Sequence, residues 1–193
     1  MKIIITLLVV IAASFGSTDA WAAKCKYKWE TTSYLTGEKV LWTRWIMNRA
    51  FYTQDKPYGL IAGVSEGDKK YLSLQLRSPE VRLNHRPSKA EVDAAMVIPE
   101  GAKLSVLLGD GTIYDLFAER HIVGDTHFEA IAYNSYSLVS LAIIRFELDA
   151  AALAALNGQK ATDLRLHTPG RNYDISFGKK PSDKIQKSLA CIL

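Results

Sequence analysis

Residues 63 to 67 read Gly-Val-Ser-Glu-Gly, the G-x-S-x-G pattern that in many hydrolases raises a nucleophilic serine above a sheet on a strained strand-to-helix turn. Such an elbow needs a helix directly behind the serine. The segment after Gly67 has the wrong period for one. Leu72, Leu74 and Leu76 fall on one side, while Tyr71, Ser73, Gln75 and Arg77 fall on the other, which is the alternation of a strand. Ser65 is therefore read as a hairpin-turn residue facing water, with Gly63 and Gly67 letting the backbone bend. No catalytic residue is assigned.

The remaining reactive side chains form no stronger pattern. Of the four histidines, His85, His121, His127 and His167, only His121 and His127 lie near each other, and with Asp125 they could in principle offer three metal ligands. Their spacing is not H-E-x-x-H and Gly124 marks a turn between them, so neither a metal nor a cofactor is expected. The stretch Gly109 to Thr112, GDGT, lacks the lysine and helix that would make it a phosphate loop. Glycoside hydrolysis requires two carboxylates facing one cleft, and the sequence singles out no pair among its 20 acidic residues.

Aromatic residues are concentrated instead. Tyr27, Trp29, Tyr34, Trp42, Trp45, Phe51, Tyr52 and Tyr58 crowd one stretch, interleaved with Lys and Arg. Such rings stack on sugars or lie at a membrane interface, and adjacent cations hold anionic groups. Trp29, Trp42, Trp45 and Tyr52 are the candidate ligand-binding aromatics. The competing role for the same rings is to build a β core and its margins.

Several elements must position these side chains. The first residues carry Lys2, an apolar run from Ile3 to Ala13, and a small polar stretch ending in Ala20, Trp21 and Ala22. This is the layout of a secretory signal peptide, with cleavage expected after Ala22, and the apolar run is shorter than the roughly 20 residues of a membrane span. Residues 23–193 then form one domain without a transmembrane span. The expected location is the periplasm or the exterior, after export of the Gram-negative type. There Cys25 and Cys191, the only cysteines, are expected to join in a disulfide. Nucleic acid is not an expected partner in that compartment, and the net charge of +4 is compatible with anionic surfaces such as phospholipid head groups or cell-wall polymers.

From Cys25 onward a period of two dominates. Cys25, Tyr27 and Trp29 alternate with Lys26, Lys28 and Glu30 as on an edge strand. Residues 40–52 read as one long second strand, and residues 103–119 as a hairpin turning at Gly109, Asp110 and Gly111. Residues 136–148 are apolar on both faces, as in a central strand. Ser88 and Glu91 form a capping box ahead of a short helix over 89–96. Asp149 caps an Ala-rich helix stopped by Asn157 and Gly158, Pro169 and Gly170 turn a last hairpin, and Pro181 begins a terminal helix that buries Ile185, Leu189 and Ile192. The fold expected is mainly β (α+β): a single antiparallel β-sandwich or partly closed barrel-like sheet, with two or three short helices including a C-terminal one.

The functional reading that follows is a non-enzymatic periplasmic or secreted interaction module, binding another envelope protein or a cell-wall polymer. A small cell-wall-directed hydrolase with its site assembled from distant strands is one alternative. A carrier of an apolar ligand inside the sheet is another.

Overall fold

A computed structural model describes residues 25, 27–34, 36–48 and 56–192. The expected leader, residues 1–22, and the candidate Tyr52 lie outside the described residues. The chain runs through β1 (Tyr27–Thr32), β2 (Lys39–Thr43), β3 (Ile46–Met47), β4 (Tyr58–Glu66), β5 (Lys69–Arg77), β6 (Val81–Leu83), α1 (Lys89–Ala94), β7 (Val97–Ile98), β8 (Lys103–Leu108), β9 (Ile113–Phe117), β10 (Ile122–Val123), β11 (Asp125–Ala132), β12 (Ser135–Glu147), α2 (Ala150–Gly158), β13 (Ala161–His167), β14 (Asn172–Ser176) and α3 (Lys179–Leu189), ending in a 3-10 turn at Ala190–Ile192.

Two antiparallel sheets carry the architecture. The larger has the order β1-β2-β4-β5-β12-β11, with β3 added to β4 and β6 to β12; the smaller has the order β14-β13-β8-β9, and β7 and β10 form a separate ribbon. The path through the larger sheet starts at β1 and stops at β11 without closing into a barrel. The alternation of apolar residues explains why the sheets meet: Leu72, Leu74 and Leu76 of β5, Ile144 and Phe146 of β12, Leu104 and Val106 of β8, and Leu164 and Leu166 of β13 all belong to one buried cluster. Helices α2 and α3 add Leu156, Ile185 and Leu189 to it. The leucine row that could have lined a ligand chamber is thus packed into the core.

Two glycines permit close approach. A side chain on Gly59 would meet Ile175 Cδ1 of the facing sheet at 2.9 Å, and one on Gly63 would meet Ile192 and the Ser188 carbonyl oxygen at 3.2 and 3.3 Å. Gly63 is accordingly not a bend but a mid-strand seat for the end of the chain.

Three expectations need correction. Ser65 lies within β4, paired with Lys70, and is buried; the turn consists of Gly67 and Asp68, with Gly67 at φ +54°. The hairpin is tighter than a five-residue GVSEG turn because Glu66 still pairs with Lys69. Lys70 Nζ donates to Ser65 Oγ at 2.6 Å, which satisfies the hydroxyl inside the structure. The long second strand is interrupted: β2 ends at Thr43 and β3 resumes at Ile46, and β2 and β3 each pair with β4. Finally, α3 starts before Pro181, with Gly178 at its N-cap. Pro181 still falls in the first turn, where its missing N–H costs no helical bond.

Local signals elsewhere act as their chemistry requires. Ser88 and Glu91 form both bonds of the capping box at α1, although the helix stops at Ala94. Asp149 Oδ1 accepts from the Ala152 N–H at 2.6 Å to start α2. Cys25 and Cys191 form the expected disulfide. No helix among the described residues is long and apolar enough to cross a membrane.

Candidate functional site

The aromatic candidates converge on the outer face of the larger sheet, the side turned away from the smaller one. Register places them there. Trp29 lies opposite Trp42, Trp42 opposite Val64, Val64 opposite Tyr71, and Tyr71 opposite Glu147, in one row across β1, β2, β4, β5 and β12. Directly opposed residues share a face. The Trp29 and Trp42 rings meet edge to face with centroids 6.4 Å apart. Trp45, in the break between β2 and β3, brings its ring to 5.7 Å from Trp42.

One cation holds this row in place. The Arg145 guanidinium of β12 lies 5.2 Å from the Trp42 centroid and 5.6 Å from that of Tyr71, and its Nη1 donates to Glu66 Oε2 at 2.9 Å. Arg145 and Glu66 expose only 23% and 15% of their side chains, so their attraction is weakly screened. Val40, Val64 and Tyr71 form a small buried cluster under Trp42. Burial pushes the Tyr71 hydroxyl up to about 12, assisted by the negative charges of Glu119, Glu147 and Glu66 and opposed by Arg145. Tyr71 is therefore a neutral donor at physiological pH, and its hydroxyl points to Glu119 at 3.4 Å.

The outermost ring is the accessible one. Trp29 is 47% exposed, and Lys28 Nζ stands 4.2 Å from its centroid. The arrangement thus grades from a locked interior, Tyr71 and Arg145, to a wet aromatic rim. The rings stand at 75° and 45° to one another rather than in one plane, so chemically each exposed face can stack an apolar surface singly, with Lys28 beside Trp29 for an anionic or hydroxyl-rich group.

No known protein family, no curated protein and no solved structure matches this chain.

A second polar constellation was not singled out by the sequence. On the outer face of the smaller sheet, Asp115, Ser105, Arg165 and Asp174 stand directly opposite one another across β9, β8, β13 and β14, in an open groove of about 760 Å³. Ser105 Oγ donates to Asp115 Oδ1 at 2.6 Å and lies 3.2 Å from His167 Nε2. A serine triad would place the imidazole between serine and carboxylate, whereas here the carboxylate takes the serine proton's hydrogen bond directly. Arg165 grips Asp174 through Nε and Nη2 at 2.5 and 3.1 Å. Both carboxyls are held below their ordinary range, Asp115 first by the Ser105 hydroxyl and then by Lys103, Asp174 by Arg165. A glycosidase acid requires the opposite, a carboxyl raised toward neutrality.

The other histidines stay apart. His127 Nε2 contacts Asp125 at 3.1 Å on an exposed strand, and His85 joins the α1 cap through Glu91 at 2.9 Å. Among the described residues no three His, Cys, Asp or Glu side chains gather into a metal site.

Proposed function

We propose that the chain is an exported, non-enzymatic interaction module whose aromatic face binds a cell-wall polymer, with an envelope protein as the other partner class. The single observation carrying this reading is the contiguous Trp29–Trp42–Trp45 surface, pinned by the Arg145–Glu66 pair beneath it. Preorganised rings lose little freedom on binding, and sugar rings present the flat C–H faces that an exposed indole such as Trp29 stacks. The disulfide fits an oxidising compartment. In the groove of the smaller sheet neither Asp115 nor Asp174 is the raised carboxyl that a glycosidase acid needs. Against the apolar carrier stands the packed leucine row.

The test is a titration of intrinsic tryptophan fluorescence with soluble peptidoglycan fragments. A saturable change is expected, weakened roughly ten-fold by Trp29→Ala, the loss of one stacked ring. An unchanged spectrum with the fragments, or affinity untouched by Trp29→Ala, would remove the aromatic face from the binding site. Cleavage of the fragments would replace the binder by the hydrolase.

A further inference from the structure

The last helix carries a dense run of lysines. Segment 179–187 contains Lys179, Lys180, Lys184 and Lys187 against Asp183 alone, so four minus one gives a local net charge of +3 within nine residues. Helical geometry sorts these residues sharply. Ser182, Ile185 and Leu189 are buried, and at 100° per residue Lys180, Lys184 and Lys187 form a stripe on the opposite side. All three are exposed. Among the described residues none of the three forms a close ion pair; Asp183 pairs with Lys160 at 2.6 Å and attracts Lys187 only at longer range.

Helix stability does not account for this stripe. Lys187, in the last turn, is favoured by the negative end of the helix dipole, but Lys179 and Lys180 sit at the positive end, where a cation is disfavoured. The first turn contains no acidic residue to offset them. Its place in the fold adds a second indication. The 3-10 turn after α3 carries Cys191, bonded to Cys25, and the Cys191 carbonyl accepts from the Tyr27 hydroxyl at 2.6 Å. The lysine helix is thus fastened to the start of β1.

We infer that the Lys180–Lys184–Lys187 face of α3 docks on an anionic phospholipid surface. A convex helix presenting one row of flexible ammonium groups matches a plane of phosphates. Its exposed face is convex, so it meets a plane more fully than it wraps a single acidic strand. Each lysine near such a surface contributes about a five-fold factor in affinity, and the effect falls off within about 10 Å at ordinary ionic strength. This docking uses a face separate from the aromatic site, so either reading can fail alone.

The experiment is co-sedimentation of the oxidised, exported protein with vesicles of phosphatidylglycerol mixed into phosphatidylcholine, and with pure phosphatidylcholine. Binding to the mixed vesicles alone is expected, weakening as salt rises. The variant K180E/K184E/K187E should bind at least about 100-fold less tightly, three five-fold factors for the lost lysines compounded before the added repulsion of the glutamates, with an unchanged circular dichroism spectrum. A charge-matched variant, K89E/R120E/R171E, places the same reversal on exposed positions elsewhere and should retain most of the binding. Equal losses in the two variants would reduce the effect to net charge and overturn the assignment to α3. Failure to bind mixed vesicles at low salt would overturn it too, as would lysine-dependent binding to a soluble acidic polysaccharide without vesicle binding.

Discussion

Replacing Arg145 by Met keeps the length of the side chain but removes the charge between Trp42 and Tyr71 and leaves Glu66 without its partner. The magnitude follows from burial. Breaking a fully buried pair costs about 3–5 kcal/mol, whereas an exposed pair is worth below about 1. Arg145 and Glu66 retain 23% and 15% of their side-chain exposure, so Arg145→Met should cost about 2–3 kcal/mol, nearer the buried limit. For a chain of this size that lowers the melting temperature by about 5–10 °C. Glu66→Gln keeps an acceptor for the guanidinium and should cost about 1 kcal/mol. The double variant should cost no more than Arg145→Met alone, because most of that loss is the stranded carboxylate. Thermal melts of the four proteins, closed into a double-mutant cycle, give the coupling directly. Losses that simply add, or an Arg145→Met melt within about 1 °C of the parent, would show that the pair does not hold the aromatic row.

Two further outcomes are expected. Reducing the Cys25–Cys191 bond, which spans 166 residues, should remove about 5 kcal/mol in the chain-entropy account; urea unfolding with and without reductant checks this, and a difference below about 1 kcal/mol would contradict it. At Asp174 the folded carboxyl is lowered, chiefly by Arg165, so its contribution is present above the ordinary carboxylate pKa and is lost as pH falls through the lowered one. Asp174→Asn should therefore flatten the acid limb of a melting-temperature profile, and an acid limb as steep as the parent's would refute the assignment.

Local chemistry made most elements readable in the sequence. Alternation of leucines marked β5, Ser88 and Glu91 marked α1, and Asp149 marked α2, each a signal confined to a few residues. Long-range placement was less legible. Nothing near Arg145 in sequence announces that β12 lies beside β5 and carries the guanidinium over to Trp42, 103 positions away by number. The groove was half legible: the tight hairpin after Leu108 fixes Ser105 opposite Asp115, but Arg165 and His167 join them only because β13 pairs with β8. Ser65 misled for a physical reason. A polar residue between glycines imitates a turn, and only the register across Gly67 reveals that the strand continues through it.

The stability of the aromatic platform depends on the opposite side of the sheet. β1 is an edge strand exposed along its whole length, so burial contributes little to holding Trp29 where it stands. What fixes that strand is its pairing with β2, the disulfide at Cys25, and the Tyr27 hydroxyl on the Cys191 carbonyl. The terminal segment that supplies Cys191 is itself locked: Ile192 sits over Gly63, Ser188 bonds Thr43, and the Thr43 hydroxyl accepts from the Gly63 N–H at 2.8 Å. Gly63 belongs to β4, whose next residue, Val64, packs beneath Trp42 on the other face. A side chain at position 63 would press on the helix end on one face and shift the strand under the tryptophans on the other. The first glycine of the G-x-S-x-G pattern thus acts through its missing side chain, letting the end of the chain clamp the strand that bears the candidate binding surface.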